Sequence, residues 1–109
     1  MINVGIHGST GRVGRLLIDN LLKDKEAKPH VLHAIEDFGF TTPKDVTITD
    51  DVSALLQKSD VVIDFTISMG TETLLENALK SPRPLVIGTT GLNEHQQNLL
   101  KEAANNKIG

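Results

Sequence analysis

Apolar and polar positions along this chain follow two alternating periods. Ile2, Val4 and Ile6 lie in a short β-branched run that reads as a buried strand. From Gly11 to about Lys25 the spacing turns helical, with Val13, Leu16, Leu17, Asn20 and Leu21 on one face. Pro29 closes that helical region, and Val31 to Ile35 forms the next apolar run. Residues 38–45, FGFTTPKD, carry turn formers and read as a loop. Val46, Thr47 and Ile48 make a short strand, and Asp51 can cap a brief helix through Leu55 and Leu56. DVVIDFT, residues 60–66, is a further buried strand. A helix starting at Ser68 or Thr71 then uses Leu74, Leu75, Ala78 and Leu79. Pro82 and Pro84 bracket its exit, and LVIGTT, residues 85–90, returns to strand. Asn93 with Gln96 three positions on has the form of a capping box, ahead of a helix with Leu99, Leu100, Ala103 and Ala104 on its apolar face.

Strands alternating with helices at this spacing predict an α/β fold: a doubly wound, mainly parallel sheet with helices on both faces. Near-continuous apolar runs such as Val61-Val62-Ile63 suit strands buried on both sides. The 109 residues suffice for one domain. The net charge of −3, with 11 basic residues scattered, leaves no basic stripe, so nucleic acid is not an expected partner. There is no cysteine, which excludes disulfides and thiolate metal sites. No apolar stretch approaches the roughly 18 residues of a membrane span, and no signal segment opens the chain, so a cytoplasmic, membrane-free protein is expected. Trp and Tyr are absent, which argues against aromatic stacking or a tyrosine acid in the site. His30 and His33 lie on one strand without a third ligand, so no metal is expected. His7 borders the glycine turn and could touch phosphate, but at a strand end it reads as structural, and His95 as solvated.

The stretch GSTGRVG, residues 8–14, follows the first strand and opens the first helix, the order a dinucleotide site requires. Gly8 would let the chain turn sharply, Gly11 would let the backbone approach a pyrophosphate, and Gly14 would let the helix pack closely. Exposed N–H groups and the helix dipole would then hold the phosphates. The alternative is a turn that glycines merely shorten. Glu36 ends the second strand about 20 residues on, where a carboxylate can accept hydrogen bonds from the adenosine ribose. The alternative there is a solvated acidic pair. Asp37 follows it, and two carboxylates would repel a 2′-phosphate, so NADH is expected to bind more tightly than NADPH. Arg12, a guanidinium inside the turn, pulls the other way. Thr66, Thr89 and Thr90 offer hydroxyls at two further strand ends, with Gly88 and Gly91 beside them; an ordinary strand-exit turn is the plainer reading of Thr90 and Gly91.

Together GSTGRVG, AIED, VVIDFT and VIGTTG resemble the dihydrodipicolinate reductase family along essentially the whole chain. The resemblance implies a Rossmann-like nucleotide-binding domain over residues 1–109 and hydride transfer from a reduced nicotinamide cofactor to a cyclic imine-type dicarboxylate of lysine and diaminopimelate synthesis. It places Gly8, Ser9, Thr10, Gly11, Arg12 and Val13 at the pyrophosphate and Glu36 at the ribose. Gly88, Thr89 and Thr90 fall at the nicotinamide end, bordered by Phe65 and Thr66. Asp37 stands where members that accept both cofactors often carry arginine, and the 38–45 loop is short for the family. The resemblance implies that the histidine-lysine substrate motif, the catalytic residues and the tetramer-forming domain lie beyond Gly109. The chain alone is therefore expected to bind dinucleotide weakly and to lack reductase activity. A regulatory nucleotide-sensing module would use the same turn, as would another NAD-dependent dehydrogenase or epimerase.

Overall fold

The computed structural model of the protein describes residues 2–9, 12–34, 42–89 and 91–105. The elements run β1 (Ile2–His7), α1 (Arg12–Leu22), β2 (Ala27–His33), β3 (Thr47–Thr49), α2 (Val52–Lys58), β4 (Val61–Asp64), α3 (Ser68–Lys80), β5 (Leu85–Ile87) and α4 (Glu94–Asn105). The five strands form one sheet in the order β3-β2-β1-β4-β5, and every pairing is parallel. This is the order of the first five strands of a dinucleotide-binding sheet, reaching into both of its halves, and its direction reverses between β1 and β4.

Alternation along the strands sends side chains to two cores. Val4, Ile6 and Leu32 pack with Ile18 of α1, with Val61 and Ile63 at the margin. Val31, Val62 and Leu85 face the other way, onto Leu55, Leu56, Leu74, Leu75 and Ala78 of α2 and α3, and Ala103 of α4. The sheet is therefore covered by α1 on one side and by three helices on the other. Among the described residues no helix is long and apolar enough to cross a membrane.

Both expected caps form. Asp51 accepts the Ser53 N–H at 3.0 Å. Asn93 and Gln96 exchange reciprocal bonds, Gln96 N–H to Asn93 Oδ1 at 2.8 Å and Asn93 N–H to Gln96 Oε1 at 2.9 Å.

Three readings of the pattern change. On α1 the buried positions are Gly14 and Ile18, flanked by Leu17 and Leu21, while Val13, Leu16 and Asn20 are exposed. On α4 the inward stripe is Gln96, Leu99, Leu100 and Ala103, and Ala104 faces out. Pro29 lies inside β2 instead of closing the region before it. Its partner is Val4 and the next pair is Gly5 with Val31, so His30 is one extra residue in the ladder. Among the described residues β3 pairs only with Val31 to His33, so β2 is an edge there at Pro29, where a missing N–H costs no ladder bond on the open side.

Candidate functional site

The C-terminal strand ends converge at the crevice between β1 and β4, where ligands bind in open α/β sheets. The turn after β1 begins at Gly8, whose φ of 89° lies in the region that favours glycine. α1 follows immediately from Arg12. A side chain at Gly14 would place its Cβ 2.5 Å from the Gly8 carbonyl oxygen and 2.9 Å from Ser9 Cα, so the helix can approach the turn only without one. No acidic residue stands in the first turn of α1, which leaves its dipole available to an anion.

Ser9 is wholly buried. Its N–H donates to the His33 carbonyl at 3.2 Å and its hydroxyl to the Ile6 carbonyl at 2.7 Å, so both polar groups tie the turn to the sheet. Arg12 and Val13 sit exposed at the start of α1. Phe65 lays its ring over Gly88, and its N–H donates to the His7 carbonyl at 3.2 Å. The Thr66 N–H donates to Thr89 Oγ1 at 3.1 Å, which joins the β4 and β5 ends. Thr10, Gly11, Glu36, Asp37 and Thr90 lie outside the described residues.

Beneath these groups is an ionisable cluster that sequence reading passed over. Asp64, the last residue of β4, has a fully buried side chain. Its Oδ1 accepts from His7 Nδ1 at 2.9 Å and from the Thr66 hydroxyl at 2.8 Å. Its Oδ2 accepts from the Thr71 hydroxyl at 2.5 Å, with the Thr89 hydroxyl at 3.2 Å. Burial alone would raise the Asp64 pKa. The hydrogen bonds from His7, Thr71 and Thr66 outweigh it and hold the carboxyl below its ordinary value. The ends of β1, β4 and β5 and the start of α3 thus meet on one carboxylate. The sequence signal was an aspartate closing the apolar run VVI, since a buried charge needs partners.

The cluster continues to β2. The His7 and His33 rings meet edge to face, with centroids 4.7 Å apart. His33 Nε2 lies 3.1 Å from the Asp50 carbonyl oxygen, which can only accept, so that nitrogen carries the proton. Burial, then the neighbouring His7, lower the His33 pKa. A lowered folded-state value means that the unfolded chain takes the proton more readily. The His33 contribution to stability is therefore full above about pH 6.5 and is lost as the pH falls through the folded value. The melting temperature should accordingly drop more between pH 7.5 and 5.5 in the parent than in His33→Phe, which keeps a ring against His7. Equal drops would remove His33 as the cause.

Above these rings opens a cleft of about 410 Å³. Its floor holds His7, Gly8 and His33, and its apolar walls come from Ala34 and Val52 on one side and Ile67, Met69 and Gly70 on the other. Asp50, Thr66 and Thr73 supply polar atoms at the edge. A few polar groups on an otherwise apolar concavity of this size suit a nucleoside. Of the residues expected at the cofactor, Gly8 and Thr66 line this cleft. Ser9, Arg12, Phe65, Gly88 and Thr89 surround the crevice without lining it.

Comparison with known proteins agrees with this geometry. The family model described as dihydrodipicolinate reductase, N-terminus, matches residues 2–109. The chain is 54% identical over 104 residues to a 4-hydroxy-tetrahydrodipicolinate reductase of a Nitratiruptor species, with 95% of this chain and 41% of that protein covered. It is 50% identical over 106 residues to the enzyme of the same name from Aliarcobacter butzleri, with the same coverage. The chain thus spans about 41% of the length of the curated relatives it matches. Among solved structures, a dipicolinate-bound dihydrodipicolinate reductase from a Paenisporosarcina species superposes with a TM-score of 0.81 at 23% identity, covering 95% of this chain and 43% of that one. At that identity the likeness is one of fold.

Proposed function

Because the chain belongs to the dihydrodipicolinate reductase family, we propose that residues 1–109 form the dinucleotide-binding domain of a reductase acting on 4-hydroxy-tetrahydrodipicolinate. The observation that carries this reading is the cleft at the C-terminal strand ends, floored by the Gly8 turn, with α1 starting from that same turn outside the cleft's lining. The apolar walls fit the adenosine, the turn and helix start fit the pyrophosphate, and Thr66, Gly88 and Thr89 border the nicotinamide end. When bound, the cofactor supplies the hydride. The chain's own residues bind and orient it: Asp64 fixes the threonines, Ser9 fixes the turn, and Phe65 covers Gly88. The residues that hold the dicarboxylate substrate are assigned to the part of the relatives that this chain does not span.

NADH is the preferred donor in this proposal, because Glu36 and Asp37 would repel a 2′-phosphate. Calorimetric titration of the chain with each cofactor tests both levels. Measurable binding with NADH tighter is expected. Equal or tighter NADPH binding would remove the preference, and binding of neither would remove the cofactor role.

A further inference from the structure

The His7 ring has one nitrogen held by Asp64 and the other directed elsewhere. Asp64 is acceptor-only when ionised, so Nδ1 of His7 carries the hydrogen of the 2.9 Å bond, and in the neutral ring Nε2 keeps a lone pair. Among the described residues nothing hydrogen-bonds that Nε2. It is not sealed away either, since the one buried side-chain polar atom without a partner among those residues is Nδ1 of His30. His7 lines the cleft. Its remaining face is closed by His33, itself pinned to the Asp50 carbonyl, so the ring cannot swing without breaking two contacts.

From this arrangement we infer that His7 is a specificity-determining residue of the cleft, its Nε2 accepting a hydrogen bond from an N–H or O–H of the adenosine moiety, with Asp64 and His33 as the positioning residues that fix its tautomer and angle. The inference rests on the cofactor reading above and deepens it. A preset acceptor on an otherwise apolar floor favours a nucleoside that presents a donor, because the bond forms without reorienting a side chain. It also explains why a histidine, and not a smaller residue, closes β1 directly before the glycine turn. The ring bridges the Asp64 cluster to the cleft across a gap that a short side chain would leave empty.

The test uses adenosine monophosphate and nicotinamide mononucleotide as separate probes of the two cofactor halves, beside NADH. In the ¹⁵N spectrum of imidazole-labelled chain, the His7 Nε2 resonance should shift on saturation with adenosine monophosphate and stay fixed with nicotinamide mononucleotide. His7→Leu should weaken adenosine monophosphate and NADH by about three- to tenfold alike, as expected for one neutral hydrogen bond. His7→Gln, which keeps a polar group at the Nε2 position, should recover to within about twofold of the parent. An unmoved Nε2 at saturation overturns the role of His7 while leaving the cofactor site standing, and that measurement needs no variant to fold. Failure of NADH and adenosine monophosphate to bind the parent chain overturns both.

Discussion

Asp64→Ala should destabilise the protein by about 3–5 kcal/mol, the range for removing one partner from a buried charged network. The carboxylate receives hydrogen bonds from His7, Thr66 and Thr71, with the Thr89 hydroxyl beside it, and alanine answers none of them. Each buried donor left unmatched costs about 1–3 kcal/mol, so a loss near the upper end of a typical point mutation is expected. Against a total of roughly 5–15 kcal/mol for a domain, that is at least about a fifth of the stability. In a domain of this size it corresponds to a melting temperature lower by on the order of 15–30 °C. Asp64→Asn retains one acceptor oxygen and should fall between the two. The acid limb carries the same signature. Because the folded-state value of Asp64 is depressed, its contribution is full above about pH 4 and disappears as the pH falls through that value. A thermal melt of Asp64→Ala within about 1 kcal/mol of the parent would show that the strand ends are held by something else.

Gly14→Ala should also destabilise, against the trend of its local chemistry. Alanine inside a helix normally gains up to about 1 kcal/mol over glycine. Here the added Cβ would stand 2.5 Å from the Gly8 carbonyl oxygen and 2.9 Å from Ser9 Cα and its carbonyl oxygen. Those are backbone atoms, and Ser9 is anchored to both β1 and β2, so neither can turn aside. The helix must lift instead. Overpacking of that kind costs about 1–3 kcal/mol, which exceeds the propensity gain. The larger effect falls on binding, since lifting α1 would withdraw its first N–H groups from the pyrophosphate position of the proposed cofactor site. Dinucleotide affinity should drop at least about tenfold, on the scale of one displaced charge-assisted contact. Melting curves together with an NADH titration check both halves. A variant as stable as the parent with unchanged affinity would mean that the close approach has no functional weight.

Much of this architecture was legible in the residue pattern, and what escaped shares one cause. Strand and helix order, the Asp51 cap and the Asn93–Gln96 box follow from signals within a few residues of each other. The phase of α1 does not, because the contact that sets its rotation is made by Gly14, which has no side chain to show in an apolar pattern. Val13 and Leu16 therefore stand exposed although the spacing placed them inward. The partners of Asp64 were not legible for a related reason. His7 and Asp64 are 57 positions apart, and nothing local to either says that β1 and β4 will lie side by side. The glycine turn could be located but not furnished: Ser9, expected at a phosphate, has both polar groups engaged with the sheet.

The extra residue at His30 has a consequence for how the chain tolerates change in length. In an unbroken ladder Gly5 would pair with His30, and Leu32, not His33, would stand beside His7. The bulge divides β2 into two independently keyed segments, one matched to the first half of β1 and one to its cleft end. It works as a slip joint. An insertion or deletion in the connection from α1 can be absorbed at or before His30, where β2 has no outer neighbour among the described residues, without displacing the histidine pair at the floor of the cleft.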